Sequence, residues 1–161
     1  MSGGTGGGWP PSRDGYPVFV DRSMGRKAAA GMKVLGLDSV WIGEVYPNDG
    51  KLVPDVTWIH DAAAHGRAVI TKDRKIGVNL EEFAAIRESG VKVFVVGNGG
   101  IGSVAMALIL GRHWLTIRRR MKRPGGCLWV LHPLKPVYKQ HGWPVGTLIY
   151  GHAMRGLPAS A

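Results

Sequence analysis

The sequence predicts an α/β fold, a three-layer α/β/α sandwich around a central, mainly parallel sheet of four to five strands. Three observations predict it. Strand-like apolar runs and helix-period segments alternate four times over about 105 residues, the pattern of strands joined by crossover helices. Polar caps and glycine stops punctuate the helical segments. Hydrophobic residues at 45% and charged residues at 20% are values for a chain that buries a core. At 161 residues, roughly two-thirds of the unfolded surface can be buried without disulfides or metal staples.

Each element has its own justification. Residues 1–17, rich in Gly, Ser and Pro, read as a flexible leader. The first strand is the run PVFVD, ending at Asp21. Helical spacing of Ala28, Ala29, Met32 and Leu35 follows, stopped by Gly36. A second strand, LDSVWIGEV, ends near Glu44. After a loop, Asp55 behind Pro54 is placed to cap a helix with Val56, Ile59, Ala62 and Ala63 on one face, ending at Gly66. RAVIT is the third strand, running into Lys72 and Asp73. Asn79 caps the next helix and Gly90 stops it; VKVFVVG is the fourth strand. A long helix, apolar at first and basic at its end, closes the pattern near Arg123. The expected domain spans 18–123. Residues 124–161, with Gly, Pro, Trp and two short strand candidates, read as a basic extension, either an edge hairpin or a loosely ordered tail.

Charge is unevenly placed. The 21 Lys and Arg outnumber 11 Asp and Glu, a formal +10. All acids lie between Asp14 and Glu88; residues 112–161 hold nine basic groups and no acid. Such a one-sided stretch is an electrostatic footprint for a polyanion, nucleic acid or an acidic partner chain. The single cysteine, Cys127, argues against a disulfide scaffold and for a reducing compartment. No apolar run approaches the ~20 residues of a membrane span, and no signal peptide is visible at the N-terminus, so a cytoplasmic protein without membrane contact is expected.

Ligands of a parallel α/β sheet sit beyond the C-terminal ends of its strands. Asp21 follows the first strand, Asp73 follows the third, and Asp55 opens the intervening helix at the same edge. Glu44, closing the second strand, is a further candidate. Converging carboxylates repel one another, and a hard divalent cation such as Mg2+ or Mn2+ relieves that repulsion. Metal-holding acids beside a polycationic segment are the arrangement a metal-dependent nuclease needs.

These residues resemble a known family. VFVDRS, with Asp21 and Ser23 as Asp-x-Ser after the first strand, resembles the opening motif of PIN-domain ribonucleases. VPDVTWIHDAAAHGRAVITKD is similar to the middle of the PIN-like domains of VapC-type toxins, where an acid starts the helix and a strand delivers Thr-x-Asp. GVKVFVVGNGG and the following helix are similar to the last part of those domains. The resemblance covers about Val18 to Arg120 and implies an Mg2+-dependent endoribonuclease, with Asp21, Asp55 and Asp73 as catalytic metal ligands. It further implies that Ser23 orients Asp21, and that a cognate antitoxin protein is a partner besides the RNA substrate. The sequence departs from the pattern after Thr-x-Asp: Arg74 and Lys75 stand where many PIN domains have another acid, leaving Glu44 or a water to complete the shell. A homodimer is left open.

Two other classes compete. Gly97-x-Gly99-x-x-Gly102 matches the dinucleotide-binding pattern, which would make the chain an NADP-binding oxidoreductase, but no acid follows Glu88 to hold a ribose. A non-catalytic basic module binding nucleic acid or an antitoxin is the other. Expected phosphate contacts are Arg22 and Lys72 beside the acids, and Arg118, Arg119, Arg120, Lys122 and Arg123 on the last helix. Trp114, Trp129, Tyr138, Trp143 and Tyr150 lie among the basic residues, to stack bases or, the favoured reading, to pack a small core. His60 and His65, five apart with no third ligand, do not make a zinc site.

Overall fold

The computed structural model describes residues 8–12, 15–96, 100 and 102–131. Five strands form one sheet in which every pairing is parallel, β1 (Tyr16–Val20), β2 (Leu37–Trp41), β3 (Ala68–Thr71), β4 (Lys92–Val96) and β5 (Cys127–Leu131), in the order β2-β1-β3-β4-β5. Continuous Val, Ile and Phe runs with buried side chains on both faces, as in Val93 to Val96, require that both faces be covered. Helices α1 (Arg26–Val34) and α5 (Ser103–Met121) pack together and against β2 and β4. Helices α3 (Asp55–Ala64) and α4 (Leu80–Ser89) pack together, with α3 on β3 and α4 reaching β5. One core joins the layers, centred on Phe19, Ile70, Phe94, Trp58, Ile86 and Ile117.

Helix boundaries follow local chemistry. Asn79 caps α4 by accepting from the amides of Glu81 and Glu82, and Gly90 ends it at φ 75°, where a side chain would be strained. The α3 face is as expected, with Trp58, Ile59 and Ala62 buried and Val56 and Ala63 partly so. The N-cap of α3 is Pro54, however, so Asp55 is the first helical residue and its carboxylate caps no amide. The second strand also stops earlier than expected, at Trp41. Ile42–Val45 form a single helical turn, α2, because the Glu44 carboxylate turns back to accept from the Trp41 amide at 2.6 Å.

Two expected boundaries move. Trp9, inside the segment read as a leader, packs against Phe19 and stacks on His65 at 4.6 Å, while the Pro10 carbonyl accepts from the buried Arg67. The sheet continues past residue 123: Cys127–Leu131 pair with β4 residue for residue and all five side chains are buried. The rest of the predicted extension, 132–161, and residues 1–7 lie outside the described residues. Among the described residues no helix is long and apolar enough to cross a membrane.

Candidate active site at the carboxyl edge of the sheet

The strand order sets where a ligand crevice opens. From β1 the chain moves outward to β2, then returns across β1 to β3 and continues outward on the other side. Connections therefore leave β1 and β3 in opposite directions, and the gap above these two strands is the topological switch point where open α/β sheets bind ligands. Asp21 stands directly after β1 and Asp73 two residues after β3.

Asp21 is buried, at 7% exposure, and its carboxylate is held from three sides. The Ser23 amide donates to Oδ1 at 2.6 Å, and the hydroxyls of Ser23, at 2.8 Å, and Thr71 both donate to Oδ2. With their protons committed to Asp21, these hydroxyls accept in turn. Ser23 Oγ takes the Lys72 amide at 3.0 Å, and Thr71 Oγ1 takes the Asp73 amide at 2.9 Å. The carboxylate on β1 is thereby tied to the backbone that follows β3, fixing its rotamer across the switch point. Burial raises its pKa above the usual carboxylate value; the Thr71 and Ser23 hydrogen bonds oppose that rise, and the Asp55 charge adds to it.

Three further carboxylates share this field. Asp55 Oδ1 accepts from the indole Nε1 of Trp58, one turn along α3, at 2.9 Å, so the buried ring that stacks on Phe19 also sets the Asp55 rotamer. Asp73 Oδ1 accepts from the Lys75 amide at 2.8 Å and caps a short 3-10 turn over Arg74–Gly77. Glu82, in the first turn of α4, is half-buried, and its pKa is pushed up to about 7 by burial first, then by the charges of Asp55, Asp73 and Glu81. Among the described residues none of Asp21, Asp55, Asp73 and Glu82 is in an ion pair.

Glu82 was not singled out by the sequence reading. The acid expected just after Thr-x-Asp is absent there, and α4 delivers one from eight residues further on. The signal for it was present, an acid in the first turn behind the Asn79 cap, but first-turn acids are commonplace because they complement the helix dipole. Glu44 stands apart from this group: Oε1 pairs with Lys33 at 3.1 Å while Oε2 holds the Trp41 amide. Both its oxygens are engaged in building α2.

The basic residues divide. Arg22 donates to the Gly50 carbonyl at 2.6 Å, tying the end of β1 to the loop before α3. In that loop Asn48 and Asp49 adopt positive φ, and Gly50, at φ 68°, has no room for a Cβ against Ile42. Lys72 is half-buried beside the site, with Arg74 and Lys75 exposed next to it. Arg118, Arg119, Arg120, Lys122 and Arg123 are elsewhere. A helix entering from β4 begins at the carboxyl edge and ends at the opposite one, and the 19 residues of α5 carry its basic end about 28 Å along. The Arg118 guanidinium lies over Tyr16, at the start of β1, at 4.4 Å, which marks the amino edge. These five residues therefore lie away from the acids, and the expected phosphate contacts divide between the two edges. Trp114 meets Tyr16 edge-on and Trp129 is buried within β5, so both are packing residues. The Gly97-x-Gly99-x-x-Gly102 motif lies mostly outside the described residues, as do Tyr138, Trp143 and Tyr150.

A family model described as PIN like domain matches residues 17–98, half of the chain, and the protein belongs to that family. The match runs from β1 through β4 and includes all four carboxylates of the edge. PIN-like domains are a nuclease-type fold, and the all-parallel five-stranded sheet with helices on both faces is consistent with it. No curated protein and no solved structure matches the chain.

Proposed function

We propose that the protein is a divalent-metal-dependent endoribonuclease whose site is the carboxylate group at the β1/β3 switch point. The observation that carries this is the convergence of Asp21, Asp55, Asp73 and Glu82 from four elements into one field with no basic partner among the described residues. Unrelieved repulsion of this kind is what a cation removes.

The donors are all hard oxygens, the chemistry of Mg2+ or Mn2+. Among the described residues no group of three or more His, Cys, Asp and Glu is placed to hold a metal ion by itself. Mg2+ does not need one, since it keeps several waters and takes one or two carboxylates directly. These carboxylates suit a largely hydrated divalent cation that takes one or two of Asp21, Asp55, Asp73 and Glu82 directly. When bound, it supplies Lewis-acid activation of a water and neutralises charge at the phosphodiester. Asp21 contributes a carboxylate whose orientation is preset, so little freedom is lost on loading. Ser23 and Thr71 position it without touching substrate. Lys72, Arg74 and Lys75 line the approach for the phosphates on either side of the cut.

The finer reading is a toxin of a toxin–antitoxin pair, neutralised by a small cognate protein; it rests on the likeness of the Asp-x-Ser and Thr-x-Asp segments to VapC-type toxins. Expression with the product of a neighbouring small reading frame tests it, co-purification and loss of cleavage being the expected result. The central test is cleavage of end-labelled single-stranded RNA with Mg2+. Cutting by the wild type that chelation and Asp73→Asn both abolish supports the site; cutting unaltered by Asp73→Asn discards it.

A further inference from the structure

The amino edge of the sheet carries a second charged surface that the proposed chemistry does not use. Helices α3, α4 and α5 all end there. Arg87, Lys92 and the five bases between Arg118 and Arg123 gather around those ends. Helix C-termini attract cations, each bearing roughly half a negative charge, so three ends and Glu88 offset about two and a half of these seven charges. Of the other described acids near these ends, Asp38 is paired with buried Arg67 at 3.2 Å and Asp61, in the last turn of α3, accepts from the Tyr46 hydroxyl. A surplus remains on the surface.

That surplus is ordered. The Arg118 guanidinium lies over the Tyr16 ring and that of Arg120 over Trp129, at 4.4 and 4.0 Å, cation–π contacts that anchor two of the charges. Arg119, in the last turn of α5, and Lys122 and Arg123, just past its end, are all exposed. Crowding of like charge is evident, since Arg123 and Arg119 both depress the Arg120 pKa, after burial. Next to this turn lies a cavity of about 250 Å3 lined by Gly66, Arg67, Ser89, Lys92 and Met121.

We propose that this amino edge is a second RNA-binding surface, where Arg119, Lys122, Arg123 and Lys92 hold phosphates of a single strand at a distance from the cutting site and the adjoining cavity receives an unpaired base. Charge alone fits an acidic protein equally well. The cavity at the end of this basic run, lined in part by Lys92 and Met121, favours a nucleotide strand, whose bases need a concave or stacking seat. The choice of RNA as the polyanion rests on the ribonuclease reading; the presence of an anion surface does not.

The test is fluorescence anisotropy of the full chain with a labelled single-stranded RNA of about 20 nucleotides in chelator, where no cutting occurs. The wild type is expected to bind with an affinity that falls with salt. The Arg119→Gln/Arg123→Gln pair should bind about tenfold more weakly, with a salt slope shallower by about two phosphate contacts. The Arg119→Lys/Arg123→Lys pair, keeping both charges, should bind within about threefold of wild type, which separates loss of charge from loss of fold. Binding by the Gln pair equal to wild type with the same slope overturns the proposal. So does displacement of RNA by polyglutamate of equal length at equal concentration, which assigns the surface to an acidic protein. If the wild type fails to cut RNA with Mg2+ while these binding results hold, the ribonuclease reading falls and this surface stands.

Discussion

The two edges of the sheet are electrostatic opposites. At the carboxyl edge burial first, and then neighbouring acids, raise the pKa of Glu82 and Asp21. At the amino edge burial first, and then the charges of Arg123 and Arg119, lower the pKa of Arg120. On the proposed reading the two edges call for opposite counter-ions, a cation at one and a polyanion at the other. They differ in construction too. The acid edge is assembled from residues up to 61 positions apart, Asp21 to Glu82, held by a hydrogen-bond network through Thr71 and Ser23. The basic edge is drawn mostly from one run, residues 118–123, two of whose guanidiniums lie over aromatic rings. An acid site needs convergence, because a cation must be shared; a phosphate surface needs only repetition along a face.

The largest expected effect comes from attacking the acid edge. Asp21→Asn should lower Mg2+-dependent cleavage of RNA at least about a hundredfold, since it removes a preset anionic donor. The loss should appear in turnover; a loss seen in RNA affinity alone would erase the distinction between the edges. Thr71→Val keeps the shape of the side chain but withdraws a donor from the buried Asp21 carboxylate and should reduce cleavage about 10–100-fold. It should also cost about 1–3 kcal/mol in denaturant unfolding.

At the other edge the arginines are not equivalent. Arg67 has no exposed side-chain surface and pairs with Asp38, so Arg67→Ala leaves a charge without its partner and should cost about 3–5 kcal/mol of stability. Arg119→Gln/Arg123→Gln should leave the denaturation midpoint within about 0.5 kcal/mol of wild type, because both side chains are exposed. Equal destabilisation by both would contradict the separation of a structural from a surface arginine.

The smallest effect sharpens the acid edge. Glu82 has a folded pKa of about 7 against 4.5 for the free group, so the folded state holds its proton more tightly. Its contribution to stability is present below pH 4.5 and is lost as pH rises toward 7 and its charge appears among the others. Glu82→Gln should therefore raise the melting temperature at pH 8 by about 1–3 °C, discounted for the half-exposed position, and change little at pH 4. Millimolar Mg2+ should stabilise the wild type more at pH 8 than at pH 5. A melting temperature indifferent to Glu82→Gln at pH 8 would show that the carboxylates do not share a field.

Much of this was legible in the chain. Four strands, the Asn79 cap, the Gly90 stop and the edge occupied by Asp21, Asp55 and Asp73 follow from periodicity and chain order, since a parallel crossover sends every strand end to the same side. Glu44 and Glu82 show where that ran out. Both stand in the first turn of a helix at the carboxyl edge, and residue type does not separate them. Pairing with Lys33 of α1, together with the local bond to the Trp41 amide, engages Glu44, whereas the packing of α4 against α3 puts Glu82 within the charge field of Asp55 and Asp73. The fifth strand was obscured by its setting among Gly and Pro, and its place came from pairing with β4.

The sequence by itself determined the alternation of elements, the identity of the edge that carries the acids and the excess of positive charge, because these depend on residue type and chain order alone. Tertiary structure decided which carboxylates feel one another, which arginines are buried and that the basic turn of α5 lies across the molecule from the acids. Those outcomes depend on distances between residues far apart in the chain, and such distances exist only after the layers have packed.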